Sequence, residues 1–212
     1  GRHEAGIAKS AWVAAAELSP DNIQTRLGLA DRYYRERSLD LSQKEAEKIL
    51  SIQPNHYQAK LMLGNTYLLQ KKPREAKETF EALIQQEPDN PAGYFRMGLL
   101  HRLMGEHDMA LSDFEKAMAI NPKLMDVFTH IVILHVNNKE FETALEKCDS
   151  RIAETKDNPV ILAILHNLKG QVYLTQGKTG EAEKSFQAAL TENPDFLRPY
   201  YALAGIYLDQ KE

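Results

Sequence analysis

The chain has 212 residues, of which 43% are hydrophobic and 26% charged, with a formal net charge of −4. This composition suits a soluble protein that buries substantial surface, and the interspersed charges of both signs speak against a dedicated nucleic-acid face. No apolar run approaches the roughly 18 residues of a membrane span, and Cys148, the one cysteine, excludes an internal disulfide framework. Gly1-Arg2-His3-Glu4 resemble no signal peptide and include no initiator Met, so the chain is expected to be an excised or processed piece. Its composition is compatible with the cytoplasm and with a bacterial envelope alike.

Pro20, Pro54, Pro88 and Pro122 follow one another at intervals of 34 residues, and a fixed period of that length predicts one supersecondary unit copied into an array. The array is expected to open on half a unit, residues 1–22, where Ala8, Trp12, Ala15 and Pro20 share the register of Ala76, Phe80, Leu83 and Pro88. Full units are predicted over 23–56, 57–90, 91–124, 125–162 and 163–196, with a second half unit over 197–212, all in a single domain 1–212. The first full unit is a fainter copy, with Ala30, Tyr33, Ser42, Ala46, Ile49 and Pro54.

The unit 57–90 shows the design most clearly. Its first half, Tyr57 to Leu68, has apolar residues at helical spacing, and Ala76, Phe80, Leu83 and Ile84 mark one face of a second helix. Between them Lys71-Lys72-Pro73 ends the first helix, and Pro73 suits the first turn of the second. Pro88-Asp89-Asn90-Pro91 then stops that helix and caps the next, which makes each unit a helix hairpin. The unit 91–124 keeps this register, with Gly98 for Gly64, Ala110 for Ala76, Phe114 for Phe80 and Ala117 for Leu83. Gly64, Gly98 and Gly170 fall in mid-helix, where glycine costs about 1 kcal/mol relative to alanine. Such a cost is tolerable where close packing requires a missing side chain.

The unit that begins at Met125 carries Val132, His135, Ala144 and Cys148, but Lys156 stands where proline is expected and the register resumes four residues late. Asn158-Pro159 reads as an N-cap followed by proline in the first helical position, so an extra turn from Pro159 to Leu162 is predicted. The unit 163–196 returns to the pattern with Gly170, Tyr173, Ala182, Phe186, Ala189 and Pro194. The last stretch has Tyr200, Leu203, Ala204 and Tyr207, with Tyr201, Ile206 and Leu208 on its other sides. A capping helix has a polar outer face, so more repeats are expected beyond both ends, and open apolar ends are expected to permit weak self-association.

Motifs for chemistry are sparse. There is no Gly-rich phosphate loop, no H-E-x-x-H and no paired-cysteine spacing, so no catalytic residue, metal ligand or cofactor is expected. His101 and His135 share the register of Tyr67 and read as packing residues. His130 and His135 are five apart, about 140° around a helix, and do not chelate together. Cys148 takes the register of Phe80 and reads as buried packing, as does Trp12.

Leu63-Gly64, Tyr67, Ala76, Phe80 and Pro88, repeated in register, resemble the signature of the tetratricopeptide repeat family over essentially the whole chain. The resemblance implies an all-α, right-handed α-solenoid of stacked antiparallel helix hairpins: about 12 helices, in five full repeats with a half repeat at each end. It also implies a concave groove, lined by the first helix of each repeat, that takes peptide segments of partner proteins. Carried over by register, the floor of that groove is Leu61, Met62, Phe95, Leu99 and Ile133, edged by Asn65, Arg96, Arg102 and His130. The same register adds Leu27, Gly28, Asp31 and Tyr34 before these residues, Leu68, Thr129 and Val136 among them, and Asn167, Leu168, Gln171 and Leu174 after them.

Two specialisations of the family fit poorly. Asn65 and Arg96 each match one component of its two-carboxylate clamp, but Leu61, Leu99 and Asp126 stand where other polar or basic members are needed. An asparagine ladder is also missing, since Gly28, Met62, Arg96, His130 and Leu168 occupy its line. The surface that remains suits an amphipathic or extended segment with apolar anchors and an acidic group near the arginines. The expected function is a non-enzymatic scaffold for a protein or peptide partner, without nucleic acid and without membrane insertion. The rival readings are a self-associating structural segment, or the targeting arm of a larger enzyme or of an envelope or export assembly.

Overall fold

The computed structural model describes residues 12–16, 18–155 and 157–209, and every regular element among them is a helix. Ala8, Lys156 and Glu212 lie outside the described residues. The chain divides into two compact units, residues 1–122 and 123–212. In the first unit, the helical residues 12–16 precede three hairpins: Ile23–Arg35 with Leu39–Ile52, Tyr57–Leu69 with Pro73–Gln86, and Pro91–Met104 with His107–Ile120. The second unit holds Met125–Asn137 with Phe141–Glu154, Pro159–Thr175 with Thr179–Glu192, and the helix Leu197–Asp209. Within each unit every helix packs on the next in the chain, and the first helices of neighbouring hairpins also touch.

Three of the first helices start at an asparagine that pairs with an otherwise orphaned N–H group. The Oδ1 atoms of Asn22, Asn90 and Asn158 accept from the backbone N–H groups of Thr25, Ala92 and Ile161 at 3.0, 3.0 and 3.1 Å. Pro91 and Pro159 occupy the first turns of their helices, where a missing N–H costs nothing. Pro159–Thr175 runs to 17 residues against 13 or 14 for the other helices, which is the extra turn that Asn158-Pro159 predicts.

Every hairpin turns in the same way. Arg37, Lys71, Gly105, Lys139 and Gly177 occupy one position of the repeat, and all have positive φ, from 58° at Lys71 to 79° at Gly105. In hairpin 57–86, Lys71 N–H donates to Leu68 O at 3.2 Å and Lys72 N–H to Tyr67 O at 2.9 Å, and the other four hairpins make the same two bonds. This paired pattern is a Schellman closure, which satisfies the last carbonyls of one helix while reversing the chain into the next. The left-handed residue is glycine in only two of the five turns. At Arg37, Lys71 and Lys139 the closure holds a side chain in a backbone state that costs roughly 1–2 kcal/mol.

Glycine and phenylalanine meet inside the hairpins as the register requires. A Cβ added to Gly64 would lie 2.3 Å from Phe80 Cε1, and at Gly98 and Gly170 it would lie 2.6 Å from the rings of Phe114 and Phe186. All three rings are fully buried. In hairpin 23–52 the corresponding pair is Ala30 with Ala46, and in hairpin 125–154 it is Val132 with Cys148, all fully buried. Gly with Phe and Val with Cys thus divide a similar volume in different ways, whereas Ala with Ala supplies less. Trp12 departs from its expected place as a core filler. Its ring lies 3.1 Å from where a Gly28 Cβ would stand, yet the residue remains 40% exposed.

Candidate functional site

Of the groove residues predicted in the first unit, the seven of its floor and edge lie on two adjacent first helices, Tyr57–Leu69 and Pro91–Met104, and Leu27, Gly28, Asp31 and Tyr34 lie on Ile23–Arg35 before them. Several of them hold the hairpins together as well as facing outward. Leu61 packs against the buried cluster of Ala76, Phe80, Leu83, Met97 and Leu100. The ring of Phe95 meets that of Phe114 within its own hairpin, at a centroid distance of 5.9 Å and an interplanar angle of 49°. Met62, Asn65 and Leu99 are half-buried, and Arg102 is exposed.

Arg96 differs from these. It is half-buried, its guanidinium carbon lies 5.3 Å from the centre of the Phe95 ring, and its Nε is buried without a hydrogen-bond partner. Burial lowers the pKa of the group, and the groups that oppose this are the phenols of Tyr34 and Tyr57 instead of a carboxylate. A cation withdrawn from water without an ion partner is poised for an anion.

His130 and Ile133, the other two predicted groove residues, lie on Met125–Asn137 in the second unit and are half-buried. Ile133 lines an apolar pocket of about 120 Å³ with Val132, Val136 and Leu168. A cavity of about 330 Å³ shares Leu168 and Gln171 with that pocket. Its apolar wall is Met125, Ile164, Leu168 and Phe196, and its polar groups are Asp126, Thr129, Asn167, Gln171 and Arg198. Asn167 is only 5% exposed, and its buried Oδ1 has no hydrogen-bond partner. Leaving such a group unpaired costs about 1–3 kcal/mol.

Register anticipated four members of this cavity: Thr129, Asn167, Leu168 and Gln171. It did not anticipate Ile164 and Arg198, and it weighed Asp126 only against the clamp. All three occupy the second position of their repeats, a signal visible once that position is compared along the chain.

His101, His135 and Cys148 are buried, as their register predicts. His101 Nδ1 lies 2.6 Å from Asp113 Oδ2, and His135 Nδ1 lies 2.6 Å from Glu140 Oε2, with both rings buried. Cys148 is fully buried, and its thiol pKa is pushed up to about 12 by that burial; Asp149 adds to the effect and Lys169 opposes it. Among the described residues, no group of three or more His, Cys, Asp or Glu side chains is arranged to hold a metal ion. None of the described helices is long and apolar enough to cross a membrane.

Sequence profiles of the tetratricopeptide repeat match residues 36–94, 91–124 and 167–212. Human tetratricopeptide repeat protein 13 is 27% identical over 121 residues, which are 57% of this chain and 14% of that protein. A solved tetratricopeptide repeat protein from Parabacteroides merdae superposes with a TM-score of 0.70 at 16% identity, covering 97% of this chain and 79% of that one. YrrB, described as a repeat protein of this kind with an unusual peptide-binding site, superposes with a TM-score of 0.56 at 18% identity, over 92% of this chain and 98% of its own. At these identities the likeness of the solved structures is one of fold.

Proposed function

The chain belongs to the tetratricopeptide repeat family, and from that membership we propose that it is a non-catalytic scaffold holding a segment of a partner protein on the faces of its first helices. An acidic group of the partner sits at Arg96, and its apolar side chains lie on Met62 and Leu99. The observation that carries this reading is Arg96 itself, withdrawn from water, stacked on Phe95 and left without a hydrogen-bond partner at Nε. A carboxylate at that place pairs with the guanidinium. The peptide-binding site named for YrrB agrees with this use of the fold.

The test is capture of the partner from the source organism's extract by the intact protein. Arg96→Glu places a negative charge against the partner's own and is expected to reduce capture about tenfold or more, with helix content unchanged by circular dichroism. Full capture by this variant sinks the proposal. Phe95 is a poor residue for the test, because its truncation also loosens the contact with Phe114. Self-association is a second reading, favoured by the exposure of Leu197, Tyr201 and Leu208 on the last described helix. Sedimentation over a range of concentrations separates the two, since a strict monomer rules out self-association.

A further inference from the structure

The joint between hairpins 57–86 and 91–120 is built unlike two of its counterparts. Where hairpin 57–86 meets 23–52, Gln70 Nε2 donates to Asp40 Oδ1 at 2.9 Å. Where hairpin 159–192 meets 125–154, Gln176 Nε2 donates to Glu142 Oε1 at 3.4 Å. Each bond ties the end of a first helix to an acid in the first turn of the preceding second helix. In the joint between 57–86 and 91–120, Met104 stands at the place of the glutamine and Arg74 at the place of the acid.

At that place lies a pocket of about 300 Å³, lined by Leu68, Pro73, Leu100, Leu103 and Met104, with Lys71 as its one charged member. Leu103 and Met104 remain 67% and 47% exposed, and neither Lys71 nor Arg74 pairs with a carboxylate among the described residues. The scaffold itself does not call for apolar side chains here. Asn137 with Asn138 and Thr175 with Gln176 fill the two places in other repeats.

The lining selects the ligand. Its five apolar side chains offer no hydrogen bond, so a peptide segment entering the pocket would leave main-chain N–H and C=O groups unpaired. A hydrocarbon chain carries no such groups, and leucine and methionine side chains adapt to its shape. The exchange of an acid for Arg74, beside Lys71, favours a negative group and repels a cation. An apolar body with one negative end meets both demands, in the usual pattern of a small-molecule pocket with few polar groups.

We propose that this joint binds a medium-chain fatty acid, with its hydrocarbon chain in the pocket and its carboxylate at Lys71. The pocket lies at the turn ends of the hairpins, and Leu68 is its only member that register assigns to the groove. The site is therefore separate from the partner segment proposed at Arg96, and the two readings fail separately.

Calorimetric titration of the intact protein with decanoate, 1-decanol and butyrate, all below micellar concentrations, tests this. Decanoate is expected to bind at one site per chain, about tenfold more tightly than the alcohol and more tightly still than butyrate. Lys71→Gln is expected to bring decanoate down to the affinity of the alcohol. Arg74→Asp combined with Met104→Gln is expected to rebuild the tie seen between Asp40 and Gln70, and to abolish binding without lowering the melting temperature. Should that double variant fail to fold, Lys71→Gln decides alone. Arg96→Glu is expected to leave decanoate binding unchanged. The proposal is overturned if decanoate binds no more tightly than the alcohol, if it binds at many sites, or if Lys71→Gln or the folded double variant keeps full affinity. Loss of binding in Arg96→Glu overturns it too, because the acid is then held at the groove.

Discussion

Hairpins 57–86 and 125–154 use the same backbone plan and close their interiors in opposite ways. In the first, Gly64 leaves a gap on one helix and Phe80 fills it from the other. In the second, the same two positions hold Val132 and Cys148, both fully buried. What is retained between the two is summed volume at a contact, with no single residue type required at either place. This explains how hairpin 125–154 dispenses with the glycine that three other hairpins carry.

The largest effect that tests this comparison is Phe80→Ala, expected to cost about 4 kcal/mol by urea unfolding, against about 1 kcal/mol for Cys148→Ala, which removes a single buried sulfur. Gly64→Ala alone is expected to cost about 2 kcal/mol, because its Cβ overlaps the Phe80 ring and neither backbone can retreat freely. Combined with Phe80→Ala it recreates the Ala30 and Ala46 pair, so the double variant should be more stable than Phe80→Ala alone. Additive losses would show that summed volume is not what the hairpins conserve.

A smaller effect sharpens the comparison at the turns. Lys71→Gly and Lys139→Gly should each stabilise by about 0.5–1 kcal/mol, the relief of the left-handed backbone less the entropy that glycine adds to the unfolded chain. Gly105→Ala should destabilise in the same assay. The smallest effect concerns reactivity. With its thiol buried and its pKa near 12, Cys148 should resist a thiol reagent at pH 8 and react fully once the chain is unfolded. Labelling of the native protein would show that hairpin 125–154 opens far more readily than its packing implies.

Much of this was legible along the chain. The recurrence of Gly64 at Gly98 and Gly170 marks a close approach of helices in the sequence, and the structure supplies its partner in Phe80, Phe114 and Phe186. So does the longer helix after Asn158-Pro159, since a cap and a proline at the first helical position are local signals. The left-handed turns were half legible. Gly105 and Gly177 announce them, whereas Lys71 and Lys139 announce nothing except by alignment with those glycines. Trp12 was read too simply, because register gives the face a ring turns toward and not how much covers its other side. Phe95 was read as groove floor, and its contact with Phe114 was invisible because the two lie on different helices.

The sequence by itself determined the helices, their caps and the pairing of large with small residues, because these depend on groups within about one repeat of each other and recur with its period. Tertiary structure alone decided that Arg96 is withdrawn from water without a partner at Nε, and that Asn167 lies buried between the contributions of Asp126 and Arg198. Both depend on the desolvation that side chains from neighbouring repeats impose on a polar group. No local pattern records how much water is left.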